Sequence, residues 1–96
     1  MNELIQDHLK KIYQSCCHLN FSTENMLELI SQAKRCIAIT KTDKNAKPYH
    51  KKFVMTFTFQ FLKMMEKDIT HEQRCHYFSQ AKACLVSDIL ESLDRA

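Results

Sequence analysis

The sequence predicts an all-α fold, a four-helix bundle made of two tandem helical hairpins, and three observations lead there. The chain has no glycine and one proline. Its apolar residues recur mainly at three- and four-residue steps. Its two halves, 1–48 and 49–96, carry one pattern at an offset of 48 residues. Tight primed hairpins, P-loops and dinucleotide-binding turns need glycine where the backbone turns left-handed or meets a phosphate, so a glycine-free chain points away from them. Ninety-six residues with 45% hydrophobic and 26% charged content suit one soluble domain, 1–96, with a modest core.

The internal repeat is most visible where Ser31-Gln32-Ala33-Lys34-Arg35-Cys36-Ile37-Ala38 recurs as Ser79-Gln80-Ala81-Lys82-Ala83-Cys84-Leu85-Val86. At the same offset Ile5 meets Phe53, Leu9 meets Phe57 and Tyr13 meets Phe61, without a gap. This register decides an ambiguity. Phe53, Met55, Phe57, Phe59 and Phe61 alternate with Val54, Thr56, Thr58 and Gln60, which alone reads as a strand. The counterpart in the first half is helical, with Ile5, Leu9, Ile12, Cys16 and Leu19 along one face. A strand would also need a partner, and the nearest candidate is Arg35–Thr40. The alternative is a short β-hairpin within 35–60; the reading adopted is helix.

Helix 1 is expected from about Asn2 to His18. Ser22 caps helix 2, with Phe21 and Met26 placed as a hydrophobic staple, and the helix runs to about Thr40. Pro48 suits the first turn of helix 3, which continues to about Lys67. Thr70 and Gln73 form a capping box for helix 4, whose stripe is Phe78, Ala81, Leu85, Ile89 and Leu93.

Candidate chemistry is thin. His71 and Cys75 sit four apart, a spacing able to hold a metal, and Cys16-Cys17-His18 form a second cluster. In the repeat register, however, every cysteine meets an apolar residue or another cysteine, and every histidine meets a polar one. Thiols should therefore point inward and imidazoles outward, and rarely converge. The expectation is no metal site and no Cys–His catalytic pair, with oxidation of vicinal Cys16 and Cys17 as a possible regulatory route. With no glycine loop, nucleophile elbow or acid–base motif, the sequence predicts no enzyme and no cofactor.

Five cysteines, none in CxxC spacing, read as reduced thiols in a cytoplasmic protein. The N-terminal MNELIQDHLKK carries acids and is amphipathic, unlike a secretory signal. The apolar run Phe53–Leu62 is too short to span a membrane.

Charge and asymmetry carry the functional reading. Lys34 to Lys52 holds seven basic residues and one acid, a local +6 against −3 for the rest. Within it Lys41, Lys44, Lys47, Lys51 and Lys52 form a basic patch around the connector between hairpins. Such a patch is a solvated loop, a contact for an acidic protein, or a phosphate contact in a nucleic-acid-binding regulator, with Tyr49 and His50 adding stacking faces. Where helix 1 has Gln6, Asp7, Lys11 and Gln14, helix 3 has Val54, Met55, Phe59 and Leu62. Met55, Phe59 and Leu62 make an i, i+4, i+7 stripe on what should be the polar face. Either the other hairpin covers it, or it is a surface for a homodimer or another protein. The function expected is a protein-binding module (adaptor, inhibitor or chaperone-like regulator). The alternative is the nucleic-acid-binding regulator, and a thiol or metal sensor ranks below both.

Overall fold

The computed structural model describes residues 3–41 and 47–95, the side chains of 47–50 and 95 apart. It is all-helical, with α1 (Glu3–Cys17), α2 (Thr23–Thr40), α3 (Lys47–Met64) and α4 (His71–Arg95). Among the described residues there is no strand. Arg35–Thr40 and Phe53–Phe61 are both helical, so the alternating phenylalanines follow the helical period. Segment 42–46, which contains Lys44, lies outside the described residues.

The helix starts follow from their caps. Ser22 Oγ accepts from Asn25 N–H at 3.0 Å, and its extended backbone is the N-cap geometry. Thr70 closes the reciprocal box: Gln73 N–H donates to its Oγ1 at 3.0 Å, and its own N–H donates to Gln73 Oε1 at 2.8 Å. Phe21 and Met26 both lie against the core. The Phe21 ring sits edge-on to Phe78 and to His71.

The helix ends are solved without glycine, and no described residue takes a positive φ. Cations reaching across from α4 satisfy the terminal carbonyls instead. Lys82 Nζ donates to the carbonyls of Cys17 at 3.3 Å and Leu19 at 3.0 Å, closing the end of α1. Arg74 Nη1 donates to the Met64 carbonyl at the end of α3. Positive charge at a helix C-terminus is favourable in its own right. Met64 is therefore the last residue of α3, which stops short of the expected Lys67. Met65 and Glu66 then close a tighter turn by donating to the carbonyls of Leu62 and Lys63.

One core takes residues from all four helices: Leu9, Ile12 and Cys16 of α1, Leu29, Ala33 and Cys36 of α2, Phe53, Phe57 and Met64 of α3, and Phe78, Ala81, Leu85 and Ile89 of α4. α4 is the central element. It packs on α1, α2 and α3, whereas α3 packs on α4 and scarcely touches α1 or α2 among the described residues. The molecule is flat and long, 43 × 24 × 17 Å. A helix held chiefly by one neighbour leaves its far side open, and that decides what α3 can do.

Candidate docking face on helix α3

α3 has apolar residues on two sides. Phe53, Phe57 and Met64 are buried against α4, and Phe61 packs partly against the same core. At about 100° per residue, Met55, Phe59 and Leu62 fall on the opposite side. There they are 65%, 55% and 63% exposed. Among the described residues, neither hairpin covers the stripe. Val54, grouped with them in the sequence reading, is half-buried and lies off the stripe, turned toward the core side. Met65, just past the helix end, is exposed as well. The other large exposed apolar residues, Leu4, Leu27 and Leu90, are on α1, α2 and α4, one each.

Lysines border the stripe. Lys51 and Lys52 are exposed. Lys63 Nζ stands 5.7 Å from the Phe59 ring centroid and 3.2 Å from Glu66 Oε1. Lys51 and Lys52 precede the stripe on α3 itself, and Lys41, the C-cap of α2, is exposed as well. Lys44 and the side chains of Lys47, Tyr49 and His50 lie outside the described residues. Lys63 was not singled out from sequence, although its place four residues after Phe59 puts the two on one helical face.

On the flank of α3, an open cleft of about 610 Å³ runs between α3 and α4, lined by Lys52, Thr56, Gln60, Cys84, Asp88 and Glu91 among others. Phe53 and Ala83 also line it, and its acids, Asp88 and Glu91, set it apart from the outer stripe.

The thiols divide by burial. Cys16 and Cys36 are fully buried. Burial first, and then the neighbouring Cys17 and Glu28, push the Cys16 thiol up to about 11. Burial, reinforced by the Asp88 carboxylate, raises Cys36 well above an ordinary thiol; its Sγ–H points to Asp88 Oδ2 at 3.8 Å. Cys84 is raised by burial and by Asp88, against the opposing pull of Lys52. A raised thiol keeps its proton and is a poor nucleophile. Cys17, the other half of the vicinal pair, is half-buried. His71 and Cys75 depart from the inward–outward rule: they meet at the surface, Nε2 to Sγ 3.5 Å. Their i, i+4 spacing at the start of α4 brings them together whatever their burial. Among the described residues, no group of three or more His, Cys, Asp or Glu side chains is placed to hold a metal ion. Nor is any described helix long and apolar enough to cross a membrane.

A scan of protein families and searches of curated proteins and of solved structures found nothing that matches this chain.

Proposed function

We propose that this chain is a non-catalytic protein-binding module, an adaptor, inhibitor or chaperone-like regulator, that docks through the outer face of α3. One observation carries the reading: Met55, Phe59 and Leu62 stand more than half exposed opposite a filled core face. Solvating phenylalanine, leucine and methionine on one stripe costs hydrophobic free energy that a partner would recover, and Phe and Met are anchor residues of interfaces. The adjoining lysines supply steering and orientation.

We further propose that the two hairpins, 1–48 and 49–96, descend from one duplicated unit and that the protein works in the cytoplasm. In support, α2 and α4 begin at Thr23 and His71 behind the caps Ser22 and Thr70, all at the repeat offset. Leu9 and Phe57, and Ala33 and Ala81, are buried in equivalent places. At the positions equivalent to the stripe, α1 exposes Asp7, Lys11 and Gln14. The apolar face thus belongs to one hairpin only, as expected of a specialised surface.

Capture from a nuclease-treated native lysate, with wild type and Phe59→Asp in parallel, tests the proposal. A protein retained by wild type and lost by the variant, at equal far-UV helicity, is the expected result. Identical retention by both would remove the stripe from function. Partners that vanish with nuclease treatment would move function to the basic residues and nucleic acid.

A further inference from the structure

Resting on that docking reading, we infer that the occupant of the α3 outer face is an acidic amphipathic helix of another protein. The charge of α3 is one-sided. Its 18 residues contain Lys47, Lys51, Lys52 and Lys63 and no aspartate or glutamate. On a helix turning about 100° per residue, Met55, Phe59 and Leu62 occupy an arc of about 60°. Lys51 lies just outside one edge of that arc, and Lys52 and Lys63 just outside the other. The stripe is about 10 Å long, and its lysine border spans about 18 Å at about 1.5 Å per residue.

An arc this narrow is the seam of a helix pair. A helix resting on a broad apolar surface needs a stripe wider than about 100°. The matching partner is a helix of three turns or more, with its own apolar seam and with Asp or Glu along both flanks, as helix pairs place charges beside their seams. A second copy of α3 does not meet that requirement. Parallel or antiparallel, it brings Lys51, Lys52 and Lys63 against the same lysines, with no α3 acid to pair them. Glu66, just beyond the helix end, already faces Lys63, and the acids of α4 beside Lys52, Asp88 and Glu91, line the flanking cleft. The exposed Lys63–Glu66 pair is weak enough to open for a better acceptor. The same width argument disfavours an anionic bilayer.

The test is an NMR titration of the isotopically labelled full chain, following Met55, Phe59 and Leu62. The first probe is an amphipathic peptide with leucine at the seam and glutamate on both flanks. Its counterpart replaces every glutamate by lysine. The third probe is vesicles of phosphatidylcholine and phosphatidylserine. The glutamate peptide is expected to shift the stripe resonances and to weaken as salt rises. A Lys51→Glu/Lys63→Glu variant, altered only at surface side chains, should bind it about tenfold less tightly, and Phe59→Asp should not bind it.

Equal binding of the lysine peptide, or undiminished binding by the double variant, would overturn the acidic partner and leave the docking face standing. Vesicle capture with both peptides inert would assign the face to a membrane. A concentration-dependent dimer that protects Met55 would assign it to a second copy. Binding of the glutamate peptide unchanged by Phe59→Asp would overturn both the partner and the face.

Discussion

Replacing Phe57 and Phe59 by alanine, one at a time, separates the two faces of α3. The residues are two apart on one helix and chemically identical. Phe57 is 6% exposed and Phe59 55%, a difference of about half a side chain. For a phenylalanine that contributes about 200 Å², this is about 100 Å² more apolar surface withdrawn from water at Phe57. At about 25 cal/mol/Å² the two substitutions should differ by about 2.5 kcal/mol, before any cavity left among Phe53, Phe61 and the α4 side chains. Phe57→Ala therefore falls in the range of about 3–5 kcal/mol expected of buried phenylalanine. Phe59→Ala loses partial contacts and the approach of Lys63, about 1 kcal/mol. In a domain of this size the gap corresponds to a difference in Tm of about 10–20 °C. Urea and thermal unfolding followed by far-UV circular dichroism would measure it. If Phe57→Ala fails to fold, Phe57→Leu against Phe59→Leu gives the same ordering at smaller amplitude. Equal losses at the two positions would refute the reasoning, because they would mean that the outer face is packed in the free chain.

Three further outcomes follow from the fold. Lys82→Met, which keeps the aliphatic stem but strips the charge from the Cys17 and Leu19 carbonyls, should cost about 1.5–3 kcal/mol by chemical denaturation; a neutral result would mean water replaces the ammonium there. Thr70→Ala opens the capping box of α4 and should cost about 1 kcal/mol in the same assay, with no comparable loss at exposed Thr58. The Cys16 thiol, at about 11 against 9.0 for an ordinary thiol, contributes stability that is complete below pH 9, where neither state ionises. That contribution should fall away between pH 9 and about 11, as the unfolded chain ionises first. Stability measured against pH in wild type and Cys16→Ala should show the extra alkaline slope in wild type only, and parallel slopes would contradict the burial assigned to Cys16.

Much of this was legible in the sequence because short-range rules governed it. Ser22 and Thr70 cap where their side chains and the residue three places on dictate. The stripes of α1 and α4 face the core as their period requires, with Ile5, Leu19 and Leu93 at their ends partly buried. The alternation over Phe53–Phe61 looked like a strand because α3 is apolar on opposite sides, so that steps of two visit both faces in turn. Placing Met55, Phe59 and Leu62 on the outer face needed only the helical register. Whether they were covered needed the third dimension, namely that α3 leans chiefly on α4. What escaped was long-range. Arg74 and Lys82 close the ends of α3 and α1 from 10 and about 64 positions away in the chain, and only the absence of glycine at those ends signalled that another donor had to be found. The spacing of His71 and Cys75 was legible, but the rule that thiols point inward and imidazoles outward set it aside, and the two meet at the surface at 3.5 Å.

Docking through α3 requires its outer face to be open in the free chain and closed by its partner. Methionine methyl spectra recorded with a soluble paramagnetic probe test this directly, since Met64 is fully buried while Met55 and Met65 are 65% and 52% exposed. In dilute protein the probe should broaden Met55 and Met65 and spare Met64, and the acidic peptide should restore Met55. A Met55 signal as protected as that of Met64 at every protein concentration, with no peptide present, would show that the chain covers its own stripe and would contradict the account.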